Sequence, residues 1–507
     1  MTTDIKKIER NFLEYVKKMS AYNEALGLIF WDLRTGAPKN GVEQRSEVIG
    51  LLSSEVFEMS TSEEMAAYIA KLSAHKEDLT DIVIKVLEEC QKEYDRNKKI
   101  PADEYKEYVV LQSKAESAWE GAKENDDFNS FQPYLEKLVE FNKRFIGYWG
   151  YKGNKYNTLL DMYEPGVTVD VLDQVFGELR EKIVPLVQRI SESSNKPNTG
   201  FIFEHFPKDK QKDFSLKILE QMGYDFNSGR LDETVHPFAI GLNPGDVRVT
   251  TKYDEGDWRT AIFGTIHEGG HALYEQNISS ELTGTPLATG TSMGIHESQS
   301  LFYENFVGRN FSFWEKNYSL LKEFGDSQFD DVELEEFYRA INESKPSFIR
   351  IEADELTYPL HIMIRYEIEK GLFNDEIQVK DLPQIWNDKY EEYLGIRPDT
   401  NAKGVLQDVH WAGGSFGYFP SYALGYMYAA QFKQAMLKDL PNYDELLQKG
   451  DLAPIREWMT KNIHQWGKMK KPLEILTEVT GEGLNATHLV NYLTDKYSDV
   501  YNLSQVK

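Results

Sequence analysis

One cysteine in 507 residues leaves the chain without a disulfide framework or a thiolate metal cluster. Cys90 itself falls at helical spacing with Val83, Val86, Leu87 and Tyr94, which places it in a core. Nowhere do about 18 uncharged apolar residues run together, so no membrane-spanning helix is expected. The opening MTTDIKKIERNFLEYVKK has no apolar stretch of the secretory kind, and a cytoplasmic location is expected. Basic residues are in deficit, 57 against 83 acidic, for a formal charge of −26. That excess opposes binding to nucleic acid or an anionic membrane surface. Any anionic part of a substrate would need a local positive site, so individual arginines become informative. Low-complexity tracts are missing too, while 41% hydrophobic and 13% aromatic residues are ample for a large buried core.

What is present is mostly helical periodicity. Amphipathic repeats predict helices over 78–97, 103–123 and 169–191, and a mainly α protein overall. No repeat period marks a solenoid. The exception is 235–253, VHPFAIGLNPGDVRVTTKY, where two β-rich runs flank an Asn-Pro-Gly-Asp turn and predict a β-hairpin. On its second strand Asp246, Arg248 and Thr250 alternate with Val247 and Val249, giving one polar face that suits the border of a groove. Helices resume near Asp257, with loops at about 280–291 and 395–419. No linker composition divides the chain, so a single integrated fold over 1–507 is expected.

The segment TIHEGGHALY lies in a predicted helix. Positions i and i+4 stack on one helix face, so His267 and His271 can reach one Zn²⁺, and Glu268 stands beside that face as a proton acceptor. Gly269 and Gly270 together cost a helix interior about 2 kcal/mol relative to alanine, which points to a close backbone approach or an open floor there. A catalytic zinc takes a third protein ligand and keeps the fourth position open. Downstream, GIHESQSLFY opens another predicted helix and offers Glu297, with His296 as the competing choice.

Several separated segments resemble the carboxypeptidase Taq family of zinc metallocarboxypeptidases. They are HPF at 236–238, DVRVT at 246–250, HEGGH at 267–271, HESQ at 296–299, IRIEAD at 349–354, GVLQDVHW at 404–411 and WDLRTGAPKNG at 31–41. The resemblance implies release of single C-terminal amino acids from peptides with broad specificity, dependence on Zn²⁺ or Co²⁺, and a homodimer. It implies a mainly α fold with a deep active-site groove, similar to neurolysin-like and angiotensin-converting peptidases. The first 200 or so residues would then cover the groove and about 201–507 would be catalytic. By the same matching His267, His271 and Glu297 would be the ligands and Glu268 the base.

A carboxypeptidase must grip a free terminal carboxylate, and arginine offers a planar fork for it. Arg350 and Arg248 are the candidates. Arg350 has the alternative of an i,i+4 pair with Asp354 on a helix that Pro359 would kink, and Arg248 that of pairing with Asp246. His236, extended before Pro237, would either reach the groove or pack the hairpin. Gln407, Asp408 and His410 are candidate groove residues and Trp411 a core residue. For the developing oxyanion the tyrosine-rich PSYALGYMY offers Tyr422 first and Tyr426 next, the helix being similar to one in neurolysin-like peptidases.

Overall fold

Amphipathic repeats account for the N-terminal third of the computed structural model, which describes residues 2–325 and 327–503. α1 (Thr2–Thr35), α2 (Val42–Thr61) and α3 (Glu63–Ser73) come first. The helices expected at 78–97 and 103–123 are α4 (Asp81–Lys98), where the Thr80 hydroxyl accepts from Val83 N, and α5 (Ala102–Glu124). After α6 (Phe128–Trp149) and α7 (Asn157–Tyr163), the third expected helix is α8 (Val169–Glu192). Cys90 is buried among core side chains, as its spacing required.

α9 (Lys208–Met222) leads to the sheet. The predicted hairpin is present as β2 (Ala239–Asn243) and β3 (Asp246–Thr251), with a register shift between Gly241 and Asn243. It is part of something larger: β1 (Leu231–Glu233) pairs parallel to β3, making the order β1-β3-β2. Val247 and Val249 are fully buried under the central strand. The Thr265 hydroxyl donates to that of Thr251 at 3.1 Å, tying the end of β3 to the next helix, α10 (Arg259–Gln276).

α11 (Met293–Leu301) packs on α10 and passes directly into a π-helical segment, Phe302–Gly308. Then come α12 (Phe311–Phe324), α13 (Leu334–Ile341), α14 (Tyr358–Phe373) and α15 (Leu382–Leu394). α16 (Pro420–Asp439) lies against α11, and α17 (Tyr443–Lys449), α18 (Ala453–Asn462), α19 (Pro472–Thr480) and α20 (Thr487–Val500) follow. Buried apolar side chains form one continuous cluster from Phe12 to Tyr501. No helix among the described residues is long and apolar enough to cross a membrane.

Two close approaches set the floor of the site. A Cβ on Gly270 of α10 would lie 2.5 Å from the Gln299 carbonyl oxygen and 2.7 Å from Ser300 Cα, so the double glycine of HEGGH lets α11 in against α10. A Cβ on Gly425 of α16 would lie 2.6 Å from Glu297 Cβ, so α11 is held from its other side as tightly.

Candidate active site

One turn of α10 separates His267 from His271, and the tight packing of α11 brings Glu297 across from both. His267 Nε2 is 3.9 Å from Glu297 Oε1 and His271 Nε2 is 3.6 Å from Glu297 Oε2. Donor atoms of the three residues all lie within 4.8 Å of one another. A tetrahedral ion with bonds of about 2.0–2.1 Å sets its donors about 3.4 Å apart, so two imidazole nitrogens and a carboxylate at these separations fit a divalent metal.

The other ring nitrogens are occupied. His267 Nδ1 meets Glu304 Oε2 at 2.8 Å, and Arg309 Nη2 donates to the second Glu304 oxygen at 3.1 Å. His271 Nδ1 meets His296 Nδ1 at 2.7 Å, while His296 Nε2 meets Glu275 Oε1 at 2.8 Å. Both nitrogens of His296 are thus engaged, one by His271 and one by Glu275. Glu275 Oε1 also accepts from Gly290 N at 3.0 Å and Thr289 Oγ1 at 3.1 Å.

Electrostatics in this recess are governed by burial and by crowded carboxylates. Burial raises the Glu268 carboxyl to about 7, with His267 opposing and Glu297 and Glu304 adding to it. The Glu268 carboxyl makes no hydrogen bond to another described residue. Burial alone would lower the His267 imidazole, but Glu297 and Glu304 outweigh it and lift it to about 10. His271, buried beside His296 and His267, is held well below its usual value. Glu304 is brought down to about 2, since His267 and Arg309 overcome the effect of burial.

Glu164 fixes the start of α11 from outside. Its fully buried carboxyl accepts from Gly294 N at 2.7 Å, from Ser292 Oγ at 3.0 Å and from the Tyr428 hydroxyl at 3.0 Å. Burial raises it to about 7.

Arg350 does not lie on a helix. It begins a short 3-10 turn, Arg350–Glu352, and α14 starts only at Tyr358, with Pro359 in its first turn where no kink arises. The i,i+4 pairing with Asp354 is absent. Asp354 instead accepts from Ser344 Oγ at 2.7 Å and from Leu356 N and Thr357 N at 3.0 Å, shaping the turn into α14. Arg350 reaches across to Asp408, with Nε 3.0 Å and Nη2 2.9 Å from Oδ1, and donates from Nη1 to the Tyr358 hydroxyl at 3.2 Å. Its backbone N–H donates to Gln407 Oε1 at 2.9 Å.

A second guanidinium, Arg365, completes this cluster. Fully buried on α14, it donates from Nε to Asp408 Oδ2 at 2.7 Å and from Nη2 to Gln407 Oε1 at 2.8 Å. Two arginines therefore share one aspartate, which they hold well below the usual carboxylate range despite its burial. The surplus is one positive charge. Donor counting leaves the Nη1–Nη2 edge of Arg350 only partly used. His410 is lowered to about 3 by burial and by Arg350, so it is neutral, and it shares a 3.1 Å hydrogen bond with the Tyr422 hydroxyl. Arg350, Tyr358, Tyr418 and Tyr422 all interact electrostatically with Glu297, so this cationic cluster borders the His267/His271/Glu297 group.

Other candidates stand elsewhere. Arg248 is forked onto Asp246 at 2.8 Å twice and stacks on the Trp31 ring at 4.5 Å, which is the pairing alternative. His236 is exposed on the loop before β2. Tyr426 is buried, its hydroxyl donating to Glu355 at 2.6 Å. Trp411 is core, with Nε1 donating to Glu369 at 2.7 Å. Arg365, Glu304, Arg309 and Glu275 are site residues that sequence reasoning did not single out. For Arg365 a signal existed: His361, Arg365 and Glu369 form an i, i+4, i+8 polar stripe set among the apolar Leu360, Ile362, Met363, Ile364 and Ile368.

A model of the carboxypeptidase Taq (M32) metallopeptidases matches residues 11–497. The chain belongs to that family. This metallocarboxypeptidase is 61% identical to carboxypeptidase 1 of Bacillus subtilis over 99% of its own length and 100% of the relative's. It is 40% identical to thermostable carboxypeptidase 1 of Thermus thermophilus, over 97% and 98% of the two chains. Among solved structures, an M32 carboxypeptidase from Deinococcus radiodurans R1 superposes with a TM-score of 0.95 at 32% identity, covering 98% of this chain and all of that one. The helical architecture and the metallopeptidase class of this enzyme follow from these matches.

Proposed function

We propose that this M32 enzyme releases single amino acids from the free C-termini of peptides, with broad tolerance for the side chain removed. His267 Nε2, His271 Nε2 and Glu297 hold a divalent ion, zinc or cobalt. The observation that carries the reading is the surplus positive charge of the Arg350–Asp408–Arg365 cluster beside the His267/His271/Glu297 group. A buried cationic group with an open donor edge beside the hydrolytic centre suits a substrate that ends there in a carboxylate.

When bound, the ion supplies Lewis acidity, polarising the scissile carbonyl and acidifying the water beside it. The residues do the rest. Arg350 receives the terminal carboxylate on its Nη1–Nη2 edge, while Asp408 keeps the guanidinium in place and Gln407 anchors the Arg350 backbone N–H. Glu268 takes the proton from the attacking water and delivers it to the leaving amine nitrogen. Tyr422, oriented by neutral His410, donates a hydrogen bond to the oxygen on which negative charge develops.

The chain acts as one unit in which residues before about 200 close the groove. Support comes from α5, where Gln112, Trp119 and Lys123 donate to the carbonyls of Gly413, Leu406 and Gln407. The enzyme is also read as a homodimer, supported by exposed Leu28, Phe30, Val42 and Leu51 on α1 and α2. Sedimentation equilibrium decides that point.

The activity is tested with N-blocked peptides ending in a free acid or an amide, with and without chelator, and with a mixed peptide ladder for side-chain tolerance. Release of one residue at a time from the free acid, abolished by chelator and restored by zinc or cobalt, is expected. Equal cleavage of the amidated peptide refutes the exopeptidase reading.

A further inference from the structure

Metal-binding histidines are set by what their second nitrogen touches, since that contact decides which nitrogen keeps a bare lone pair. The two histidines of α10 use unlike partners. His271 meets a neutral-capable imidazole, His296, backed by Glu275, whereas His267 meets the carboxylate of Glu304 directly.

The chain departs from regular geometry to deliver Glu304. α11, which carries Glu297, gives way at Phe302 to a seven-residue π-helical segment ending at Gly308. Spacing of i→i+5 shifts the phase of every residue after Leu301 relative to a continued α-helix, and such segments are rare and concentrate at functional sites. Its apolar side chains are all buried: Phe302, Tyr303, Phe306 and Val307. The segment is closed by Trp314 Nε1 donating to the Gly308 carbonyl at 2.7 Å. The acid it presents is braced from behind. Arg309 donates to Glu304 Oε1 at 3.1 Å and to the Ile341 carbonyl at 2.6 Å, and its guanidinium lies 4.1 Å from the centre of the Phe263 ring, one turn before His267 on α10.

We infer that Glu304 is the positioning residue of this centre: its carboxylate holds the proton of His267 on Nδ1 and so leaves Nε2 open toward Glu297. A carboxylate with one oxygen already taken by Arg309 can only accept at the other, so the ring must present N–H there. With that proton fixed on Nδ1, the proton a binding cation displaces is the one on Nε2, and the lone pair so freed faces the metal position. This rests on the reading of His267 as a ligand given above.

The test uses full-length enzyme in three forms, wild type, Glu304→Ala and His267→Ala, with zinc affinity measured by chelator competition. The Nδ1–H resonance of His267 is followed by ¹H–¹⁵N correlation on histidine-labelled protein at saturating zinc. Glu304→Ala is expected to bind zinc about 10–100-fold more weakly. The His267 Nδ1–H signal should move upfield and exchange faster with water while zinc remains bound, which loss of a merely structural ion pair would not produce. Unchanged affinity, or weaker binding with the Nδ1–H signal unmoved, overturns the assignment of Glu304. Wild-type zinc binding by His267→Ala overturns instead the ligand reading on which it rests.

Discussion

Replacing Arg350 by alanine separates recognition of the peptide terminus from hydrolysis itself. In the wild-type cluster two guanidiniums face one carboxylate, a net charge of +1; the substitution brings it to zero, because Asp408 keeps Arg365 at 2.7 Å through Nε and 2.6 Å through Nη2. A charge-assisted hydrogen bond contributes about 1.5–3 kcal/mol, and the open edge of Arg350 offers two. Their loss amounts to about 3–6 kcal/mol, a fall of roughly 10²–10⁴-fold in kcat/KM for free-acid substrates. Since Asp408 is not stranded, the fold escapes the roughly 3–5 kcal/mol cost of an unpaired buried charge, and the thermal midpoint serves as control. Arg350→Lys keeps the charge without the fork and should fall between. The assay is the ratio of kcat/KM for matched free-acid and amidated peptides, which should collapse toward unity in the alanine variant. A ratio within tenfold of wild type, in a folded and metal-loaded variant, refutes the assignment of Arg350 to the terminal carboxylate.

Glu268→Gln should lower kcat about 10²–10⁴-fold while zinc stoichiometry stays at the wild-type value; loss of metal instead would make Glu268 part of the binding set rather than the base. Glu164, raised by burial from 4.5 to about 7, favours its neutral form in the folded state, so its contribution is complete below about pH 4.5 and is lost as pH rises through about 7, some 3 kcal/mol in all. Urea midpoints at pH 5 and pH 7.5 should therefore converge in Glu164→Gln, and an unaltered difference would mean the carboxyl is ionised throughout. Gly425→Ala places a Cβ 2.6 Å from Glu297 Cβ and 3.0 Å from the Gly294 carbonyl oxygen, an overpacking cost of about 1–3 kcal/mol that exceeds the helix-propensity gain of about 1 kcal/mol. A stabilised variant with unchanged zinc retention would contradict the tight α11–α16 contact.

What the sequence made legible is what a regular helix enforces locally. HEGGH puts two imidazoles and a carboxylate within one turn, and its double glycine announced the close approach that Gln299 and Ser300 make to Gly270. The hairpin at Ala239–Thr251 was legible for a similar reason, since turn chemistry and alternation are both local. Where geometry is set from a distance, the pattern misleads. IRIEADEL has helix formers at helical spacing, yet Asp354 spends its oxygens on Ser344, Leu356 and Thr357 and turns the chain, so the partner of Arg350 lies 58 residues on rather than four. β1, three residues without alternation, exists only because β3 offers it a free edge. The π-helical segment is the sharpest case. FYENFVG has ordinary helical composition, and its widening is resolved only by the buried packing of Phe302, Phe306 and Trp314 around it. The departure that composition cannot announce is the one that turns Glu304 toward His267. The two histidines of HEGGH thus belong to local periodicity, while Glu297 is brought opposite them, and all three are oriented, by the packed fold.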